Sequence, residues 1–257
     1  MSHPHQKKVA RRGKPTPIAT DLRLTKRPTT TATEKVISKT TRDATRAKIL
    51  GVQRKYAGHT VTRSLSDPSV RQYLAAGDKR SKRKASEAMG ESGAVTWLRS
   101  RTKRRINLSR PTVSRPFTWS FSPGVPWADA VAFHGSNVTD VTYWDGALLH
   151  IVEAKGGGSA LSTGMRARIQ RYDPDTAQMN PQKLRQSASP PRVSQRTLAY
   201  LIDIAYSMCA SKSQDRRALV GKAILNAIES GKIEYLAVST KVEPDDTHAT
   251  VTVMDDR

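Results

Sequence analysis

The stretch NVTDVTYWDGALLHIVEAKGGG, residues 137–158, decides how the chain reads. Two β-rich runs, Asn137 to Trp144 and Ala147 to Ala154, flank Asp145-Gly146, a dipeptide suited to a tight hairpin turn because both residues tolerate positive φ. The expectation is a β-hairpin. Side chains alternate along a strand, so Leu149, Ile151, Glu153 and Lys155 share one face while Leu148, His150, Val152 and Ala154 share the other. With a two-residue turn, Asp140 lies opposite Ile151, a diagonal neighbour of Glu153 on the same face.

A carboxylate and an ammonium at the end of an apolar strand are costly unless paired, hydrated or bound to a metal. Phosphodiester hydrolysis has a use for such a set. Carboxylates hold a hard divalent cation that polarises the phosphoryl oxygen, and a nearby ammonium offsets charge in the transition state. Asp140 and Glu153 suit the first task and Lys155 the second. Oxygen-only ligation favours Mg2+, with Mn2+ as the alternative. The plain alternative is an exposed Glu153–Lys155 ion pair of little energetic worth. Asp145 competes with Asp140 for the metal, but it already has work in the turn.

Upstream, Lys79-Arg80-Ser81-Lys82-Arg83-Lys84 leads into Ala85 to Arg99, where Ala88, Ala94, Val95 and Leu98 recur at helical spacing. Glu91 falls at the edge of that apolar stripe, an unexpected place for a solvated carboxylate. Between helix and hairpin, Arg99 to Arg105 is basic, and four prolines mark a loop or edge region holding Trp119 and Trp127. Downstream, Ser159 to Pro191 reads as a mobile loop. A helix is expected from about Gln195 to Ala210 with Ser194 as its cap, and another over Asp215 to Ser230 with Gly231 as its stop. Strands over Ile233 to Val242 and Ala249 to Met254 complete an α/β domain with a central mixed β-sheet flanked by helices.

The 257 residues carry 44 Lys and Arg against 22 Asp and Glu, a formal charge of +22. Residues 1–110 hold 28 basic and 7 acidic side chains, and residues 111–257 hold 16 and 15, so a basic arm precedes a nearly neutral body. Such an imbalance points to an anionic partner, nucleic acid above all. Residues 1–78 are rich in Thr, Lys, Arg, Ser and Pro and too poor in apolar side chains to offset the entropy of ordering. They are expected to form a basic, largely disordered arm, with short helical tendencies at Thr40 to Val52 and Ser66 to Ala76; residues 79–257 form the folded domain. Lone Cys209 excludes an intrachain disulfide and a Cys-rich zinc site. No apolar run is long enough to span a bilayer, and no Sec-type signal peptide is visible. His134 and His150 lack the spacing and partners of a histidine metal site and read as loop or core residues. Lys155 precedes the glycines after it and so does not close a phosphate-binding loop.

Asp140 followed by Glu153-Ala154-Lys155 after an apolar strand resembles the D…ExK signature of the PD-(D/E)xK nuclease superfamily. The run Ile151 to Gly157 resembles the form found in restriction-endonuclease-like toxin domains of bacterial polymorphic toxins. Met89-Gly90-Glu91-Ser92-Gly93-Ala94 is similar to the glycine-glutamate-alanine helix start of those domains, and Gln195 to Leu201 to their Gln-containing helix. The similarity covers roughly Lys84 to Val242. Thr139 stands where Pro is common before the Asp, Arg196 stands where Gly usually follows the Gln, and the stretch after the core motif is long. The resemblance implies a restriction-endonuclease-like fold and a metal-dependent endonuclease. Asp140, Glu153, Glu91 and the Ala154 carbonyl would hold the metal, Lys155 would orient the attacking water, and Gln195 would position substrate or water. It further implies DNA as substrate, with RNA as the alternative, and an antibacterial effector with a cognate immunity protein. Such an effector is cytoplasmic in the producer or delivered by a specialised export system. The competing readings are an intracellular repair or restriction-type nuclease and a non-catalytic basic nucleic-acid-binding protein.

Overall fold

Leu149–Gly156 is the longest run of the central hairpin, and its burial on both faces through Glu153 marks it as an interior strand. The computed structural model describes residues 37–111, 122–133, 138–157, 165–167, 172–173, 178–179, 192–209, 216–245 and 247–255. In chain order the main elements are α1 (Lys39–Tyr56), β1 (Thr60–Arg63), α2 (Pro68–Leu74), α3 (Lys79–Thr102), β2 (Asn107–Ser109), β3 (Asp129–Val131), β4 (Val141–Trp144) and β5 (Leu149–Gly156). The short strands β6 (Met165–Ala167), β7 (Tyr172–Asp173), β8 (Gln178–Met179) and β9 (Arg192–Ser194) follow, then α4 (Leu198–Cys209), α5 (Arg216–Glu229), β10 (Ile233–Val242) and β11 (Ala249–Val253).

Seven strands form one mixed sheet in the order β1-β11-β10-β5-β4-β3-β2. The centre is the parallel pair β5–β10, and α4 and α5 lie in the long connection that a parallel pair requires. Ile151, Val152, Leu236 and Val238 of this pair join Leu98 of α3, Leu201 of α4 and Ile224 of α5 in the main apolar core. The expected α/β class with a mixed sheet and helices against it is what the chain forms.

Three sequence expectations are corrected. Residues 37–78 are folded: Ser38 caps α1 by accepting from the Thr41 amide, β1 pairs along the edge of β11, and Asp67 and Pro68 start α2. Val36–Arg257 accordingly forms one compact unit, with no boundary at residue 78. Few apolar side chains are needed here, because Ile49, Val70 and polar Thr45 and Gln53 are buried against surface that the rest of the chain supplies. Residues 1–36 lie outside the described residues.

Second, the hairpin pairs Trp144 with Leu149 and Val141 with Val152, so four residues, not two, connect the strands. Asp145 accepts from the Ala147 and Leu148 amides, and Gly146 takes φ +98°. Third, α4 begins at Leu198 and its cap is Thr197, whose Oγ1 accepts from the Tyr200 amide; Gln195 and Arg196 sit in the turn before it. The helix expected from Ala85 is longer, starting at Lys79 under an Asp78 cap, and α5 and β10 lie where the sequence puts them. Trp119, His134 and most of Ser159 to Pro191 fall outside the described residues.

Candidate active site

The four-residue connection moves the hairpin register by two, which leaves every side chain on its expected face. Continuing that register one step past Val141 puts Asp140 opposite Glu153. Asp140 Oδ2 accepts from the Ala154 amide at 2.9 Å, and Lys155 Nζ stands 3.8 Å from the same oxygen. Glu153 is 1% exposed, and its Oε1 accepts from the Tyr235 hydroxyl at 3.0 Å. Burial, then the charge of Asp140, raise the Glu153 carboxyl well above the ordinary range, with Lys155 and the Tyr235 hydroxyl opposing.

Glu91 approaches from α3, which covers the other face of the sheet. Gly90 and Gly93 let this helix sit directly on the strands. A Cβ at Gly90 would stand 2.9 Å from the Lys155 carbonyl carbon, and one at Gly93 would strike the Thr240 hydroxyl. Gly156 is equally tight, since a Cβ there would meet the Ser86 carbonyl oxygen, and the Ser86 hydroxyl donates to the Gly156 carbonyl at 2.6 Å. Glu91 is thereby fixed beside the exit of β5, where the Arg110 guanidinium pairs with it. Burial lifts its carboxyl to about 7 against the pull of Arg110, and the charges of Glu87 and Asp140 add to the rise.

Among the described residues Gln195 makes no hydrogen bond to the carboxylates. Its Nε2 donates to the Tyr200 hydroxyl at 3.3 Å, and its Oε1 is buried without a hydrogen-bond partner among the described residues. Tyr200 in turn lies close enough to Tyr235 for its charge to matter there. The Arg196 amide donates to the Tyr235 hydroxyl at 3.1 Å, so the turn before α4 and Glu153 are joined through one phenol.

The structure thus brings Asp140, Glu153 and Lys155 together and places Glu91 and Gln195 around them, each with a partner of its own. Among the described residues, no group of three His, Cys, Asp or Glu side chains stands ready to hold a metal ion. The donor set still fits a hard cation: two oxygen-bearing side chains, one of them raised by burial and by the charge of the other, form a pair that a divalent ion would relieve. Asp145 is engaged with the turn amides and with His150 Nε2 at 2.8 Å. His150 itself is buried between Asp145 and Glu234, as a core histidine.

Sequence reading misses Tyr235 and Arg110. Arg110 has no signal among so many basic residues. For Tyr235 there is a faint one: Ile233, Tyr235, Ala237, Ser239 and Lys241 turn from apolar to polar along one face of β10, as Leu149 to Lys155 do along β5. Comparison of the chain with protein-family models, curated proteins and solved structures gives no match.

Proposed function

We propose that the protein is a metal-dependent nuclease of the PD-(D/E)xK, restriction-endonuclease-like type that hydrolyses phosphodiester bonds in DNA. The observation that carries this reading is the meeting of Asp140, Glu153 and Lys155 at one end of the central hairpin. Asp140 and Glu153 would hold Mg2+ or Mn2+, with the Ala154 carbonyl and Glu91 as further donors. Such an ion supplies Lewis-acid activation of the phosphoryl group and of water. Lys155 orients the attacking water and offsets charge on the transferring phosphoryl oxygens. Tyr235 holds Glu153 in place, and Gln195 acts from behind through Tyr200.

The basic surface serves substrate capture. Lys79, Arg80, Lys82, Arg83 and Lys84 are exposed at the start of α3, the helix that packs on the end of β5 at Ser86 and Gly90. Their phosphate attraction raises substrate concentration near the carboxylates without selecting a sequence. The run Ile151 to Gly157 supports a role as an antibacterial effector with a cognate immunity protein. No described helix is long and apolar enough to cross a membrane.

Plasmid DNA and RNA incubated with the protein, with Mg2+ or with chelator, test the proposal. Cutting that needs the metal and is lost in Lys155→Ala and Glu153→Ala is expected. Mobility shifts without strand breaks would show a binder instead, and toxicity on expression separates an effector from a repair enzyme.

A further inference from the structure

One strand over from Lys155, on the same face of the sheet, lies a cavity of about 310 Å³ lined by Gly58, Ser239, Lys241, Thr252, Met254 and Asp255 among others. Its place follows from register. Ser239 pairs with Lys155 across the parallel β5–β10 pair and with Thr252 across the antiparallel β10–β11 pair, so the three side chains stand in a row on one face. Neighbouring strands are about 4.8 Å apart, which puts the Ser239 wall one strand from Lys155.

Two observations mark the cavity as a place for a ligand. Ser239 is 4% exposed, and its hydroxyl is buried with no hydrogen-bond partner among the described residues, a cost that a bound polar group would remove. The rim is also tied to the candidate active site. The Arg196 guanidinium donates to the Met254 and Asp255 carbonyls at 3.1 and 2.9 Å, while the Arg196 amide donates to the Tyr235 hydroxyl that holds Glu153. Rim and carboxylate are therefore positioned by one residue.

The lining selects the ligand class. Lys241 offers a single ammonium, Ser239 and Thr252 offer hydroxyls, and Met254 an apolar side chain. One phosphate joined to a sugar and a base meets all of these, and the volume suits one such unit. Resting on the nuclease reading, we propose that this cavity is a subsite for the nucleotide next to the scissile phosphate, with its own phosphate on Lys241 and its sugar and base against Ser239, Thr252 and Met254.

The test uses the full-length protein and two variants, Lys241→Ala at an exposed position and Ser239→Val to remove the buried hydroxyl and narrow the cavity. Calorimetric titration with deoxyadenosine 5′-monophosphate should show binding weakened about tenfold in each variant, the effect of one charge-assisted or one buried hydrogen bond. The basic N-terminal segment is the same in all three proteins, so a difference belongs to the cavity. Inorganic phosphate should bind more weakly than the nucleotide. With plasmid substrate, KM should rise more than kcat falls. Equal nucleotide affinity in the three proteins, or phosphate binding as tight as nucleotide binding, overturns the subsite, even if plasmid is cut. Nucleotide binding that depends on Ser239 and Lys241 in a protein that never cuts would keep the subsite and remove the nuclease reading instead.

Discussion

Tyr235 places one hydroxyl between a buried carboxylate and a main-chain amide, so Tyr235→Phe strands both the Glu153 oxygen and the Arg196 amide. Urea unfolding should show a loss of about 1–3 kcal/mol, and cleavage should fall because Glu153 loses its anchor. His150 is a second residue whose surroundings decide its state. Burial lowers its pKa, but hydrogen bonds to Asp145 and Glu234 outweigh burial and raise it. A histidine raised in the folded state stabilises fully below its unfolded pKa of about 6.5 and loses that contribution as pH rises through the folded value. Thermal unfolding should therefore show stability declining as pH rises from about 6.5, and His150→Gln should flatten that decline while costing about 3–5 kcal/mol at pH 6 through the broken buried pair. At this scale the sequence is partly legible. Local context alone marks Asp145 as a turn residue and narrows His150 to a loop or core residue, whereas the partner of Glu91, Arg110, depends on where β2 ends in space.

The hairpin shows why elements are easier to read than their exact pairing. Its true connection is four residues long, yet the change of two preserves side-chain parity, and the face shared by Asp140, Glu153 and Lys155 survives. A change of one would have scattered them. Helix α1 is harder, because its buried residues include Arg42, Thr45 and Gln53, polar positions that no apolar stripe announces. The start of α4 is misplaced for a related reason: Ser194 and Thr197 are both competent caps, and the positive φ of Arg196 that separates them is invisible in composition. The packing of α3 on β5 carries a prediction of its own. In Gly156→Ala the new Cβ would meet the Ser86 carbonyl oxygen, a backbone atom that cannot swing aside. Overpacking of this kind costs about 1–3 kcal/mol. Urea unfolding should report that loss, and cleavage should fall further than stability alone explains, because the strand end that carries Lys155 must shift.

Across the whole molecule, charge and chemistry are divided: most of the excess positive charge precedes residue 111, and the hairpin that holds the carboxylate pair comes after it. Affinity for DNA should fall steeply with salt, and replacing exposed Lys82 and Arg83 with Ala should reduce the slope of log K against log salt by about 0.9 for each phosphate that is no longer neutralised, read by fluorescence anisotropy. Charge asymmetry is fully visible in the sequence. That residues 37–78 are folded into the same unit is not, since their order comes from surfaces made by strands almost two hundred residues away. The central claim is that Asp140 and Glu153 share a cation, and calorimetric titration of Mn2+ in buffers of different ionisation enthalpy tests it most directly. Because Glu153 is raised by burial and by Asp140, metal binding should release a proton from the protein, and Glu153→Gln should lose both the binding and the release. Manganese binding of equal strength in wild type and Glu153→Gln, or no binding at all to the wild type, would contradict it.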